Sequence, residues 1–394
     1  MTVAIHSTGQ YLHQAKQFEL ETRPVSQLQA DEVQVAVRST TLCGSDLHYH
    51  QHFRNGSILV REPLCLGHES AGVVTAVGAA VTNLQIGEAV ALEVGVPCEE
   101  KTCDFCTSGR YNICPGLRFR SSGSKFPHFQ GTLQEVVNHP ARWVHRLPPE
   151  LGFEIGALLE PLSVGIQAVS RIEGRSPSIA RRSCLIFGAG AIGLLVSIAA
   201  QAAGIREVIM ADIDAGRLDF AGKNGFATTT FVVPFKKAET EQERMAVAKD
   251  TAAEIEELTG RDGKQVGKLP VVFECTGVTA CVQASVFAAK SGGAVVTVGL
   301  GVPFQTLPMG EGTAREIDII PTWRYANTYS RAIAIATASV TGRPISEDIV
   351  LPDLRKLITH RLHGLRSIDE AFGVAARTKD ETGAVVIKTV INFS

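Results

Sequence analysis

Two groups of residues in this chain have the types and spacing to hold a metal, and a third can cradle a phosphate. Cys98, Cys103, Cys106 and Cys114 fall within 17 residues in the order C-x4-C-x2-C-x7-C. Four thiolates so close together can close a tetrahedron around zinc with no position left for water, which is the pattern of a structural site. Cys43 and the pair His68-Glu69 offer similar donors in a looser arrangement, and taken alone they read more often as structural residues than as metal ligands. Gly188-Ala189-Gly190-Ala191-Ile192-Gly193 is a turn whose glycines let backbone amides approach a pyrophosphate at the start of a helix. Asp212 stands 24 residues beyond Gly188, where a carboxylate can accept hydrogen bonds from an adenosine ribose and repel a 2′-phosphate. That favours NAD over NADP, although the guanidinium of Arg217 could accommodate a phosphate nearby.

A glycine-rich loop does this work only between a strand and a helix, and the flanking sequence supplies both. Ser183 to Phe187 is an apolar strand, Gly190 to Gly204 a helix, Glu207 to Ala211 a second strand and Asp214 to Gly225 a second helix. Further strands at Thr229 to Val233, Leu269 to Glu274, Ala294 to Val298 and Ile317 to Ile320 continue the alternation, which predicts a parallel, doubly wound α/β sheet. The charged segment from Lys236 to Lys268 reads as one long solvated crossover helix. The first 160 residues differ in texture. Short β-like runs (Glu32 to Arg38, Ser70 to Val77, Glu88 to Glu93, Trp143 to Leu147) alternate with Gly- and Pro-rich turns, as in a β-rich, loop-heavy unit. A last strand, Ala384 to Ile391, ends a tail expected to fold back onto the first domain.

Composition narrows the class further. The 394 residues suit about two domains. With 45% apolar and 20% charged residues the chain is ordinary globular protein, and 38 Lys and Arg against 40 Asp and Glu leave no basic field for nucleic acid or an anionic membrane. The nearly apolar stretch from Ala189 to Ile205 is too short and too mixed to cross a bilayer. The opening residues carry no signal-peptide pattern, so a cytoplasmic protein is expected. Nine cysteines, an odd number spread along a long chain, do not form a disulfide framework. Cys65, Cys184, Cys275 and Cys281 lie in or beside apolar runs and read as core residues.

The string Gly67-His68-Glu69-x2-Gly72-x5-Gly78-x2-Val81 changes the reading of Cys43 and His68-Glu69, because it resembles the zinc signature of the zinc-containing medium-chain dehydrogenases. The resemblance covers essentially the whole chain and is closest to the polyol dehydrogenase branch, which includes sorbitol, xylitol and arabinitol dehydrogenases. Cys43-Gly44-Ser45-Asp46-Leu47-His48-Tyr49 is similar to that branch's first-ligand motif, Leu159-Glu160-Pro161-Leu162 to the segment where Glu replaces a Cys ligand, and Arg324-Tyr325 to its substrate-facing pair. The resemblance implies a GroES-like catalytic domain (residues 1–161), a Rossmann domain (162–322) and a C-terminal segment (323–394) returning to the catalytic domain, with the active site in the cleft between the two domains.

Roles follow from the same resemblance. Cys43, His68 and Glu69 would hold a catalytic zinc, with Glu160 binding it directly or through water, and Asp46 would accept the free ring N–H of His68. Ser45 and His48 would pass a proton toward solvent, and Ser45, Tyr49, Glu160, Arg324 and Tyr325 would face the substrate. Gly188, Gly190, Ile192, Gly193, Asp212, Arg217 and Arg324 would bind the cofactor. The expected activity is hydride transfer from a secondary hydroxyl of a polyol to NAD, in a homo-oligomer, by resemblance a tetramer. Rival readings are a zinc dehydrogenase for another vicinally substituted alcohol of threonine or butanediol type, and a silent dinucleotide-binding protein. Intact Cys43, His68, Glu69 and Ser45 argue against the latter. Two departures from the family pattern stand out. The first gap of the cysteine cluster has four residues where two are commoner, so Glu99 to Thr102 must bulge, and His50 stands where an aromatic residue lining the substrate pocket is expected.

Overall fold

Val33, Val35 and Val37 alternate along the strand Glu32–Thr41 and are at most 1% exposed, which fixes the face that this strand turns to the core. Each buried valine contributes roughly 1.5–3 kcal/mol of hydrophobic stabilisation. In the computed structural model, which describes residues 5–174, 183–346 and 348–394, this strand lies at the centre of a seven-stranded sheet. On one side it pairs antiparallel with Glu69–Val77; on the other it pairs with Val136–Pro140 along residues 32–36 and with Lys388–Asn392 along residues 39–41. The register sets Thr41 opposite both Glu69 and Val390.

The chain divides into two compact units. One comprises Met1–Pro161, Ala326–Thr341 and Leu354–Ser394; the other comprises Leu162–Tyr325 and Gly342–Asp353. The tail is therefore split. Trp323 to Tyr325 and Gly342–Asp353 belong with the second unit, where a single C-terminal return of residues 323–394 to the first had been expected.

In the second unit six parallel strands, numbered in chain order from Ser183–Phe187 to Asp318–Pro321, lie in the order 3-2-1-4-5-6. That order reverses direction beside the first strand, the place where doubly wound sheets bind dinucleotides. The expected crossover helix is shorter than Lys236 to Lys268 and is not merely solvated. It spans Glu241–Glu256, starting where the Thr240 hydroxyl accepts the Glu243 N–H (3.2 Å) and the Glu243 carboxylate accepts the Thr240 N–H (3.0 Å). Ala248, Ala252 and Ile255 bury a narrow stripe in a cluster with Leu185 and Phe287. Small alanines supply most of that stripe, so the apolar positions look sparse in the sequence. Among the cysteines read as core residues, Cys65 and Cys184 are fully buried, whereas Cys275 and Cys281 are partly exposed.

Candidate active site

Strand register and one tight helix bring the first metal-ligand set together. Cys43 precedes the helix Gly44–His52, and its backbone N–H donates to Asp46 Oδ2 (3.1 Å), while Gly67 N–H donates to Asp46 Oδ1 (3.1 Å). Asp46 is thus a fully buried clamp between the Cys43 turn and the residue before His68. Ligand atoms of Cys43, His68 and Glu69 lie within 4.8 Å of one another. The His68 ring is held at Nδ1, 2.8 Å from Ser121 Oγ and 3.3 Å from Asp46 Oδ1, which leaves Nε2 for a metal. Asp46 thus shares the ring nitrogen with Ser121, a residue with no signal in the sequence and a left-handed backbone (φ 61°). Ser45 Oγ lies 3.4 Å from His68 Nε2.

Glu69 provides the sharpest test of whether these residues suit a cation. Its side chain is fully buried; Oε2 accepts from the Thr41 hydroxyl and from the Lys388 ammonium, while Oε1 has no hydrogen-bond partner among the described residues. Leaving a buried charged acceptor unsatisfied costs upward of about 1–3 kcal/mol, a penalty that a metal ligand avoids. The thiol, imidazole and carboxylate set with such an orphan oxygen fits zinc. Lys388 is 4% exposed; burial lowers its pKa, but Glu69, Cys43 and Glu160 outweigh that and hold it protonated. Burial likewise opposes the charged form of His68, and Asp46 and Cys43 override it, so that its pKa lies well above the usual histidine value. For Asp46 the raising effect of burial is outweighed by His68 and by the two backbone N–H donors.

The remaining expected residues occupy varied places. Glu160 sits on the helix Gly152–Ser170, just before Pro161; it is buried and acts on Lys388 through its charge, but it is not one of the three grouped ligands. His48 is exposed. Tyr49 is 3% exposed and packs in a core cluster with Tyr11, Leu66 and Phe372, its hydroxyl accepting the Gly123 N–H (3.1 Å). His50 does lie among aromatic rings, stacked on Phe18 (centroids 5.3 Å) and beside Phe372 (4.8 Å), and burial lowers its pKa. Arg324 lies over the Trp323 ring (5.0 Å), and buried Tyr325 follows it, both in the second unit.

The four-cysteine set is closed. Sulfur separations of 3.5 Å (Cys98–Cys114), 3.7 Å (Cys98–Cys106) and 3.8 Å (Cys103–Cys114) match the ~3.8 Å edge of a tetrahedron with Zn–S bonds of about 2.3 Å. The longer first gap is absorbed where Glu99 takes a left-handed conformation (φ 58°), and the short helix Asp104–Thr107 then turns Cys103 and Cys106 to the same side. Burial raises the Cys106 thiol to about 12; at Cys114 hydrogen bonds from Cys98 and the Gly116 N–H outweigh burial and bring it to about 7.

In the second unit Gly188 has φ 102°, and a Cβ on Gly193 would meet the Gly188 carbonyl oxygen at 1.8 Å, so both glycines are required for the loop to close on the helix Ala191–Ala202. Asp212 ends the second strand and accepts N–H bonds from Ala189 (2.6 Å) and Asp214 (2.8 Å), tying the carboxylate to the glycine loop. Asp214 caps the next helix, and a guanidinium nitrogen of Arg217 lies near Gly190. Gly190 and Ile192 flank the helix start. This loop fits a pyrophosphate.

Residues 29–149 match the alcohol dehydrogenase GroES-like domain and residues 191–338 the zinc-binding dehydrogenase domain. The chain is 38% identical over 376 residues to sorbitol dehydrogenase of Gallus gallus, covering 94% of this chain and 95% of that protein. It is also 38% identical over 358 residues to L-arabinitol 4-dehydrogenase of Aureobasidium melanogenum, covering 91% and 86%. A solved Escherichia coli oxidoreductase/dehydrogenase of unknown specificity superposes with a TM-score of 0.79 at 26% identity, covering 99% of this chain and all of that one (100%). A zinc-binding dehydrogenase from Sinorhizobium meliloti, solved with NADP bound, shares the fold at a TM-score of 0.78 and 24% identity, covering 98% of this chain and 99% of that one. The chain is an oxidoreductase and belongs to the zinc-containing medium-chain dehydrogenases, in their polyol dehydrogenase branch.

Proposed function

We propose that the protein oxidises a secondary hydroxyl of a polyol of sorbitol, xylitol or arabinitol type with NAD as hydride acceptor, using one catalytic zinc and keeping a second, structural zinc. The observation that carries this reading is the buried orphan oxygen of Glu69 within a Cys43, His68 and Glu69 ligand set. A zinc ion held there supplies Lewis acidity that lowers the pKa of a substrate hydroxyl toward neutral. The reaction converts a secondary alcohol and NAD⁺ to a ketone, NADH and a proton.

The chain's own residues have defined tasks in that scheme. Asp46 and Ser121 fix the His68 ring so that Nε2 is available as a ligand. Lys388 offsets the charge of Glu69, which keeps a site with Cys43, Glu69 and Glu160 from becoming too anionic to bind an alcohol that must ionise. Ser45, 3.4 Å from His68 Nε2, relays the released proton by accepting it while passing on its own hydroxyl proton, which exposed His48 takes up and hands to solvent. Arg324 and Tyr325 supply polar groups to the neighbouring hydroxyls of the polyol and Arg324 also to the cofactor, while Gly188, Gly190, Ile192, Gly193, Asp212 and Arg217 hold the dinucleotide. In the cytoplasm, as a homotetramer, such an enzyme would work on small soluble substrates.

A site that pairs with substrate hydroxyls rejects analogues lacking them, because its own polar groups are then left unpaired. The test is steady-state NADH absorbance with sorbitol, xylitol, arabinitol, threonine, 2,3-butanediol and simple alcohols at saturating NAD. The polyols should show the highest kcat/KM, and Arg324→Ala should erode that advantage. Equal or faster turnover of simple alcohols would overturn the polyol assignment.

A further inference from the structure

A cavity of about 400 Å³ in the first unit, made by residues between Ser7 and Pro140, uses none of the groups assigned above. Its size falls within the roughly 300–1,000 Å³ of small-molecule sites. The wall carries three guanidinium groups, Arg23, Arg118 and Arg120, against one carboxylate, Glu32. Arg23 is balanced from outside the wall by Glu21, its Nε donating at 2.8 Å, so the cavity remains net positive.

Arg120 is the decisive residue. It is 3% exposed, yet no carboxylate bonds to it; its donors go to His139 Nδ1 (3.1 Å), the Gln130 carbonyl (2.8 Å) and the Asn138 carbonyl. A guanidinium has five N–H donors, so two stay without an acceptor among the described residues. Burying a cation without a counter-charge costs several kcal/mol. Burial draws its pKa down to about 9, so it remains charged at neutral pH. Arg118 and Arg120 both line the cavity, and each guanidinium lies over the Phe129 ring, at 4.4 and 4.2 Å. The ring thus favours the charged form of two cations that border the cavity. His128 adds no donor, since its Nδ1 bonds the Lys125 carbonyl (2.7 Å) and its Nε2 accepts the Arg61 N–H (2.9 Å).

We propose that this cavity binds a small doubly charged oxyanion, a phosphate or a dicarboxylate, anchored by Arg120 and completed by Arg118. Paired guanidinium forks suit the planar or tetrahedral oxygens of such groups. The experiment is calorimetric titration of the zinc-loaded enzyme with inorganic phosphate and, separately, succinate at constant ionic strength. Hydrogen exchange over residues 118–138 is followed in parallel. Saturable binding of one anion per chain with protection of that segment is expected, and the tighter of the two identifies the class. Arg118→Ala, at an exposed position that spares the fold, should weaken binding by roughly tenfold or more while polyol turnover is unchanged. Arg120→Lys, which keeps the charge but loses the fork, should also weaken it. Failure of both anions to bind saturably overturns the proposal, as does binding unaltered by Arg118→Ala or abolished by His68→Ala, which would place the anion at the metal ligands.

Discussion

Lys388 reaches Glu69 from the strand Lys388–Asn392 and is nearly fully buried there. Removing one partner of a buried ion pair typically costs about 3–5 kcal/mol because the other charge is stranded. Lys388→Met should therefore destabilise the metal-free protein by that order, and the loss should shrink on zinc loading, since the metal restores a positive neighbour to Glu69. Urea midpoints with and without zinc measure both values; an equal loss in the two states would contradict the assignment. His68→Ala should abolish turnover while sparing most of the fold. Cys103→Ser, by contrast, should lower the melting temperature and, on the proposed two-zinc reading, the zinc content from two per chain to one, because it opens a closed clamp. Metal analysis and calorimetry on the two variants separate these effects.

At the scale of elements, the strand Val136–Pro140 buries His139, whose Nδ1 accepts from Arg120 and whose Nε2 donates to the Glu93 carbonyl (3.0 Å). Burial, reinforced by the Arg120 guanidinium, holds its pKa well below the ordinary histidine value. The folded ring stays neutral, while the unfolded chain takes up a proton as pH falls through about 6.5. The unfolded state then binds more protons, so this contribution to stability is full above that pH and is lost below it, by up to ~1.4 kcal/mol per pH unit. His139→Gln should flatten the fall in unfolding free energy between pH 7.5 and 5.5. Identical slopes in both proteins would refute it. Elements also decide what the sequence could reveal. The cysteine cluster, the glycine loop and the doubly wound alternation were legible because their spacing is local. The strands His6–Gln14, Gln17–Pro24 and Ile358–His363 were not, since their faces mix polar and apolar residues without clear alternation. Ser121 and Lys388 reach His68 and Glu69 across the fold, so no spacing announced them. A lone lysine in the apolar run Val385-Val386-Ile387-Lys388-Thr389-Val390-Ile391 was the available hint, since a charge inside a core strand needs a buried partner.

For the whole molecule, the proposed choice of NAD rests on Asp212, whose carboxylate is already tied to the amides of Ala189 and Asp214. A fixed carboxylate beside a 2′-phosphate is repulsive, so NAD should exceed NADP in kcat/KM by at least roughly tenfold, about 1.4 kcal/mol. Parallel kinetics with both cofactors decide the matter; comparable efficiencies would show that Arg217 near Gly190 overrides the acid. The position of Lys388 also has a consequence for the order of synthesis. It follows Glu69 by 319 residues, and the second unit is made between them. A chain emerging from the ribosome displays Cys43, His68 and Glu69 long before Lys388 exists, so the buried pair that ties Glu69 to the last strand can close only after the second unit has been made.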